Sequence, residues 1–176
     1  MATYITSDLH FFHKNILKYN PDTRPWGSVE EMNEGLIEAW NKIVCKEDFI
    51  YHLGDFSFGN PSQTEDILSR LNGKIIFIEG NHDHALKRVR STTPYLEMKH
   101  NGTHVVMCHY PLVLWNRSHH GSVMLFGHCH GSYEGSGRTM DVGWDANGRI
   151  LLLDEAIEMC LNKPVHYVSH HGESKE

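Results

Sequence analysis

Apolar and polar residues follow different patterns in the two halves of the chain. In the first half, short apolar runs that suit buried strands alternate with longer stretches of helical periodicity. The predicted strands cover residues 2–6, 48–53 and 74–78, and the predicted helices cover residues 28–44 and 62–71. Ser28 and Glu31 form a capping-box pattern where the first helix begins, and Asn72 and Gly73 end the second. This alternation predicts βαβ crossovers, and therefore a parallel sheet covered by helices.

Beyond about Pro94, short strand patterns separated by glycine-rich turns replace the helical periodicity. The candidate strands cover residues 95–99, 103–108, 122–127, 137–142 and 149–154. Two sheets packed together accommodate both halves of the chain. Because the sequence shows no internal repeat, linker or low-complexity tract, we predict a single α/β domain over residues 1–170 and a frayed tail at residues 171–176.

Composition narrows the possible functions. The 176 residues are 40% hydrophobic, which suits one globular domain. The formal net charge of -6 argues against a groove for long nucleic acid, although a small phosphate ester remains compatible with it. The four cysteines include no CxxC pair, and the N-terminus lacks the pattern of a signal peptide, so we predict a reduced, cytoplasmic protein. No apolar stretch approaches the roughly 18 residues that span a bilayer, so no membrane role is expected. The sequence leaves the oligomeric state open.

Metal-binding residue types follow the predicted strands, and the chain contains 15 histidines in all. Asp8 and His10 follow the first strand, Asp55 follows the second, and Asn81 and His82 follow the third. Open α/β sheets bind their ligands at these carboxyl ends of the strands. The sequence therefore predicts a shared binding site at one edge of the sheet.

The later strands add three more imidazoles to this set. His109 follows the strand at 103–108, while His128 and His130 follow the next strand and are two residues apart, on one face of an extended segment. Imidazole, carboxylate and amide donors without a thiolate suit borderline divalent metals such as Mn, Fe, Zn, Co or Ni. The donors suffice for two ions. If one carboxylate bridges them, a pair about 3.5–4 Å apart is able to activate water and hold the oxygens of a phosphate.

Five ordered sequence blocks carry a resemblance to a known family. They are "DLH" at residues 8–10, "GD" at 54–55, "GNHD" at 80–83, His109 and "GHCH" at 127–130. The chain resembles the calcineurin-like metallophosphoesterase superfamily, whose pattern these blocks match without a substitution. The flanking segments further resemble a compact bacterial and phage branch of that superfamily. The resemblance implies a four-layer α-β-β-α sandwich, with two mixed sheets packed face to face and helices outside.

The resemblance also implies a role for each residue of the blocks. Asp55 would bridge two divalent ions, with manganese favoured and Fe, Ni, Co or Zn as alternatives. His82 would protonate the departing oxygen while Asp83 holds it in position, and a hydroxide that bridges the metals would attack phosphorus directly. Gly80 is expected to permit the sharp turn before these residues. The first metal would be bound by Asp8, His10, Asp55 and His130, and Asn81, His109 and His128 would complete the second.

Several other residues allow two interpretations. His13 closely follows the first block, and Arg24 precedes a Pro-Trp pair; we include both as candidate residues that approach the substrate phosphate. His84 suits either a supporting contact or a surface position. For the tryptophans, burial is the better default than base stacking. A lone histidine such as His52 is more often a packed core residue than a ligand, and we give it no role.

Within this chemistry, we favour a phosphodiesterase that acts on a small nucleotide or another phosphate diester. A short chain without a cap domain leaves its cleft open to a second ester substituent. The alternatives are a phosphomonoesterase, a protein phosphatase and a non-catalytic metal-binding scaffold. Short loops offer little surface to a folded protein substrate, and a scaffold has no need of His82 or of a complete ligand set.

Overall fold

The computed structural model describes residues 1–165, so the predicted tail at residues 171–176 and the last residues of the predicted domain lie outside the described part of the chain. The strands are β1 (Thr3–Thr6), β2 (Phe49–Leu53), β3 (Lys74–Ile78), β4 (Thr92–Thr93), β5 (Tyr95–His100), β6 (Thr103–Cys108), β7 (Val123–Phe126), β8 (Thr139–Asp141) and β9 (Leu151–Leu152). The helices are α1 (Ile16–Tyr19), α2 (Val29–Ile43), α3 (Pro61–Arg70), α4 (Leu86–Val89), α5 (Trp144–Asn147) and α6 (Leu153–Leu161), with a 3-10 turn at Ser118–His120.

The first half of the chain forms a five-stranded sheet in the order β4-β3-β2-β1-β9. Strands β1 to β4 are parallel, and β9 pairs with β1 in the antiparallel direction. Helices α2 and α3 lie in the connections between consecutive parallel strands, as the βαβ prediction requires. The second half forms a four-stranded mixed sheet in the order β5-β6-β7-β8. The predicted α/β class with two mixed sheets and helices is confirmed.

Apolar residues fill the space between the two sheets. Ile5 of β1 and Leu53 of β2 belong to one buried cluster with Val105 of β6 and Leu125 of β7, so the sheets pack face to face. On the opposite face of the first sheet, Trp40 of α2 and Ile67 of α3 cover that sheet. The outer face of the second sheet is covered by the segment between β6 and β7, through Trp115. This packing places the carboxyl ends of β1, β2, β3, β6 and β7 around one region.

Helix caps explain where the long helices begin. Ser28 accepts a hydrogen bond from Glu31 N at the start of α2, and the Glu31 carboxylate accepts from Gly27 N, one residue before the predicted partner. A complete capping box forms at α3 instead, between Asn60 and Gln63. Proline at the first position of α3 also favours a helix start there.

The prediction of a strand over residues 149–154 is largely wrong. Only Leu151–Leu152 forms a strand, and the chain continues directly into α6. The leucine run does not distinguish a strand from a buried helix by periodicity, because both bury a continuous apolar stretch. Leu153 and Ile157 on α6 pack into the cluster between the sheets. None of the helices among residues 1–165 is long and apolar enough to cross a lipid bilayer.

Candidate metal centre

Hydrogen bonds between backbone groups bring the strand ends together. The loop after β1 runs beside the loop after β2, with Asp8 N bonded to Gly54 O at 3.0 Å and His10 N bonded to Asp55 O at 3.0 Å. The two sheets are joined at the same point, because His128 N donates to Asp8 Oδ2 at 2.9 Å. Loops from both sheets therefore form one site.

The structure arranges six of the seven predicted ligands in two groups. Within each group, one ligand atom from every member lies within 4.8 Å of the others. The groups are Asp8, His10 and His130, and Asp55, His109 and His128. The seventh ligand joins the second group, since Asn81 Oδ1 is 3.1 Å from His109 Nε2. All seven predicted ligands thus lie in one place.

Asp55 connects the two groups. Its Oδ2 atom is 3.7 Å from His10 Nε2 in the first group and 3.6 Å from His109 Nε2 in the second. Its other oxygen, Oδ1, accepts a hydrogen bond from His82 N at 2.9 Å, which fixes the plane of the carboxylate. One oxygen of this carboxylate is therefore in reach of both groups.

Lone pairs face one another across the site, which is the arrangement that cations stabilise. His109 Nδ1 lies 2.7 Å from Leu53 O, and this contact requires a proton on Nδ1. In a neutral imidazole the Nε2 atom then carries a lone pair, which faces the acceptor Asn81 Oδ1. Asp8 Oδ1 is buried without a hydrogen-bond partner among the described residues. Divalent cations fit these donors, because an ion would satisfy acceptors that otherwise repel one another.

His130 shows the same arrangement in the other group. Its Nδ1 atom is 2.7 Å from Asp145 Oδ2, and its Nε2 atom is 3.2 Å from His10 Nε2. The carboxylate therefore fixes the tautomer of the ring and directs the Nε2 lone pair toward the site. Burial lowers the pKa of His130, but the hydrogen bond and charge of Asp145 outweigh it and raise the pKa above its ordinary value.

Electrostatic interactions favour ionised carboxylates in the site. Burial raises the pKa of Asp8, but the neighbouring imidazoles, His10 first, outweigh it and hold the pKa well below its usual range. Burial also raises the pKa of Asp145, and hydrogen bonds from His130 and Arg24 reverse this effect and lower the pKa. Both carboxylates are therefore negative at neutral pH.

The structure corrects the role predicted for Arg24. The residue is only 1% exposed, so it lies beneath the site and has no access to a substrate phosphate. The guanidinium pairs with Asp145 at 2.9 Å and donates to Leu9 O and Asp8 O. Arg24 therefore supports the loop that carries Asp8, and it also orients the carboxylate that holds His130.

The role of Asp83 also differs from the prediction. Its carboxylate accepts hydrogen bonds from the backbone N–H groups of Asp55, Phe56 and Gly80, at 2.8 to 2.9 Å. Among the described contacts, none joins this carboxylate to the His82 imidazole. Asp83 therefore ties the loop after β3 to the loop that carries Asp55, and it positions His82 only through the backbone.

The remaining candidates lie at the open side of the site. His82 is exposed, with its ring centroid 6.0 Å from that of His10 and 4.5 Å from that of Phe58. His13 lies beside His10 at a centroid distance of 5.5 Å. Burial and then the charges of His10, His82, Arg24 and His130 lower the pKa of His13 to about 4, so its ring is neutral at pH 7. His84 is exposed, whereas Trp115 and Trp144 are buried, in agreement with the default assigned to tryptophan.

Sequence reasoning missed three residues that support the ligands. Ser7 Oγ donates to Asp8 Oδ2 at 2.6 Å, Asp145 orients His130, and Phe58 packs its ring against His10, His13 and His82. Ser7 directly precedes the first block, which was a usable signal. Asp145 and Phe58 belong to no block, and their contacts depend on tertiary structure.

Comparison with known families agrees with this geometry. The sequence pattern of the "Calcineurin-like phosphoesterase superfamily domain" matches residues 1–143. This span includes all seven candidate ligands and the loops that carry them, and it covers most of the chain.

Individual relatives come from archaea and phages. An uncharacterized protein of Methanocaldococcus jannaschii is 36% identical over 132 residues, which cover 74% of this chain and 70% of the relative. The gene 66 protein of Mycobacterium phage L5 is 27% identical over 195 residues, which cover 89% of this chain and 93% of the relative.

A solved structure shows the same fold. The crystal structure of a protein of unknown function from Aquifex aeolicus superposes with a TM-score of 0.69 at 23% sequence identity. The superposition covers 90% of this chain and 98% of the other. At this identity the likeness concerns the fold alone.

Proposed function

Because the chain belongs to the calcineurin-like phosphoesterase superfamily, we propose that it is a metal-dependent phosphodiesterase that hydrolyses small phosphate diesters, nucleotides among them. We further propose two divalent ions per chain, with manganese favoured. One observation carries the proposal: Asp55 Oδ2 is 3.7 Å from His10 Nε2 and 3.6 Å from His109 Nε2, so a single carboxylate oxygen serves both ligand groups. A shared carboxylate is typical of paired metal ions that act on phosphate esters.

The residues around this oxygen have complementary roles in the proposed reaction. Bound divalent ions would supply positive charge that activates a water molecule and neutralises phosphate oxygens. Asp8, His10 and His130 would hold one ion, and Asn81, His109 and His128 would hold the other. His82 stands at the open side and would donate a proton to the departing oxygen, a contribution of roughly 100- to 10,000-fold in rate.

Exposure supports a diester substrate. Asp8 and His109 are fully buried, whereas His82 and His128 are exposed, so the centre is closed on the protein side and open toward solvent. An open side tolerates a second ester substituent on the phosphate. We also retain the proposals that the protein is cytoplasmic and that its substrate is a small phosphate ester rather than long nucleic acid.

Hydrolysis by metal-reconstituted protein tests the proposal. After chelation, we expect manganese or nickel to restore hydrolysis of bis(p-nitrophenyl) phosphate, with a higher kcat/KM than for the monoester p-nitrophenyl phosphate. Asp55→Asn should bind fewer than two ions per chain by elemental analysis. It should also lose more than about 100-fold in kcat/KM, because mutation of residues that only support metal ligands already costs up to that factor.

The control is Asp22→Asn, which removes an exposed carboxylate outside the site. It should behave as the parent in both measurements. Absence of hydrolysis with every divalent metal would exclude the proposed enzyme. Two ions in Asp55→Asn would show that this carboxylate is not shared, and a preference for the monoester would replace the diesterase by a monoesterase.

A further inference from the structure

We propose that a cavity beside the metal centre binds a second phosphate group of the substrate, and that Arg88 is the residue that recognises it. The inference rests on the proposed function and narrows its substrate class to phosphodiesters that carry an additional terminal phosphate. The cavity, called the Arg88 cavity below, has a volume of about 290 Å³ and is lined by residues 57–61 and by His82, His84, Ala85 and Arg88.

The Arg88 cavity adjoins the metal centre directly. His82 lines the cavity, and its backbone N–H donates to Asp55 Oδ1 in the centre. Phe58 also lines the cavity, next to His82, and its ring centroid lies 5.3 Å from that of the candidate ligand His10. A substrate whose scissile phosphate contacts the metal ligands therefore extends past His82 and Phe58 into this cavity.

The charge of Arg88 is free, unlike that of its basic neighbours. Lys87 pairs with Glu79 at 2.8 Å, and Arg90 pairs with Glu65 at 2.8 Å. Arg88 lies between these pairs, and its guanidinium has no ion-pair partner among residues 1–165. The Arg88 guanidinium is therefore available to an anionic ligand in the cavity that it lines.

The lining of the cavity suits phosphate. No aspartate or glutamate is among the described residues that line it, so nothing there repels an anion. The planar guanidinium offers paired N–H donors that match two phosphate oxygens, and His82 and His84 also line the cavity. A neutral or cationic substituent would leave the Arg88 charge without a partner.

Two dinucleotides that differ by one phosphate test the inference. ApA and pApA contain the same scissile diester, and only pApA carries a terminal 5′-phosphate. With manganese-loaded parent protein we expect kcat/KM for pApA to exceed that for ApA by about five- to tenfold, mainly through KM, as for a charged hydrogen bond at a partly exposed site. In Arg88→Gln this ratio should fall close to one.

Arg90→Gln is the matched control, because it removes a like charge two residues further along the chain, and Arg90 is already paired with Glu65. It should keep the parental ratio. Equal use of ApA and pApA by the parent, or a parental ratio in Arg88→Gln, would overturn the role of Arg88 while leaving the phosphodiesterase proposal intact.

A binding measurement separates the two proposals if neither dinucleotide is hydrolysed. Analogues of ApA and pApA with a methylphosphonate linkage resist hydrolysis, and their affinities for manganese-loaded protein are measured by calorimetry. Tighter binding of the 5′-phosphorylated analogue to the parent and to Arg90→Gln, but not to Arg88→Gln, would support the cavity although the enzyme proposal had failed. Equal affinities in all three proteins would refute the cavity.

Discussion

Five of the seven candidate ligands have a left-handed backbone conformation, with φ between 48° and 70°. They are Asp8, His10, Asp55, His128 and His130. Residues other than glycine rarely adopt this conformation, although aspartate and histidine tolerate it better than most. Each such residue costs about 1–3 kcal/mol and persists only where the surrounding structure holds it. The hydrogen bonds between the loops, including Asp8 N to Gly54 O, supply that support and turn the ligands toward one another.

His82 is the residue whose proposed role can be tested separately from metal binding. Its imidazole belongs to neither ligand group, and it is exposed at the open side. We expect His82→Ala to retain the parental metal content and to lose roughly 100-fold or more in kcat on diesters with an alkoxide leaving group, because a positioned acid assists such departures. The loss should be much smaller for p-nitrophenolate, which leaves without a proton.

Measuring kcat against the pKa of the leaving group, together with metal analysis, checks this prediction. His84→Ala removes another exposed imidazole near the site and should not change the dependence on the leaving group. An equal loss of activity for alkoxide and p-nitrophenolate leaving groups would contradict the role of His82 as an acid.

The convergence of the candidate ligands was predictable from the sequence, but the residues that support them were not. The candidate ligands follow apolar strands, so strand recognition and residue type together locate them, as for Asp55 after β2. The contacts of Arg24 with Asp145 join residues 121 positions apart, and no local pattern encodes them. Asp83 shows a related difficulty, since its carboxylate bonds to backbone groups that any sequence would supply.

At the scale of elements, the ends of β2 and β3 approach more closely than side chains allow. Gly80 was expected to permit a sharp turn, but it is not among the glycines with positive φ. A Cβ atom at Gly80 would lie 2.3 Å from both the N and the Oδ1 atoms of Asp55, and at Gly54 it would lie 2.7 Å from Gly80 Cα. The absence of a side chain at Gly80 therefore sets the position of Asp55.

Gly80→Ala should disturb both the fold and the metal centre. The new methyl group must displace the backbone of Asp55, and we expect a loss of about 1–3 kcal/mol in the free energy of unfolding, as for other overpacked positions. Metal affinity should fall as well, because Asp55 Oδ2 lies between the two candidate ligand groups. Urea denaturation of metal-free protein and metal titration measure the two effects.

Gly27→Ala is the control for this substitution. Its Cβ atom would meet only Glu31 Oε2, at 3.3 Å, and that carboxylate lies at the end of a flexible side chain. We expect a change below about 1 kcal/mol and parental metal affinity. Parental stability and metal affinity in Gly80→Ala would show that the β2 and β3 loops separate at little cost.

The prediction of helices and strands succeeded where hydrophobic periodicity and segment length indicated the same element, and it failed where they indicated different elements. Helix α2 has a strong amphipathic pattern over 15 residues, whereas α6 begins inside the leucine run that also contains β9. Short helices such as α4 and α5 span four residues each, which is too short for periodicity to indicate. Strands β1 to β3 and helices α2 and α3 were therefore predictable, whereas β9 and α6 were not.

At the scale of the molecule, the core beneath the metal centre contains a buried imidazole that binding does not explain. His52 on β2 is fully buried, and both of its ring nitrogens have no hydrogen-bond partner among the described residues. The ring packs against Phe56 and Phe77, at centroid distances of 5.2 and 5.9 Å. An unpaired imidazole among apolar side chains has to remain neutral, and this requirement links the stability of the whole fold to pH.

Burial lowers the pKa of His52 from 6.5 to about 3; the charge of Asp8 opposes this shift, and His109 and His10 add smaller lowering effects. Below pH 6.5 the unfolded chain therefore gains a proton at this residue that the folded chain does not, so the free energy of unfolding falls as pH decreases toward 3. At pH 5 this loss amounts to about 2 kcal/mol relative to pH 8.

His52→Leu removes the titrating group. Urea denaturation of chelated protein should therefore show a stability loss between pH 8 and pH 5 that is about 2 kcal/mol smaller in this variant than in the parent. His120→Gln, at an exposed position, should retain the parental pH dependence. The same pH dependence in His52→Leu as in the parent would show that His52 is protonated in the folded state as readily as in the unfolded chain.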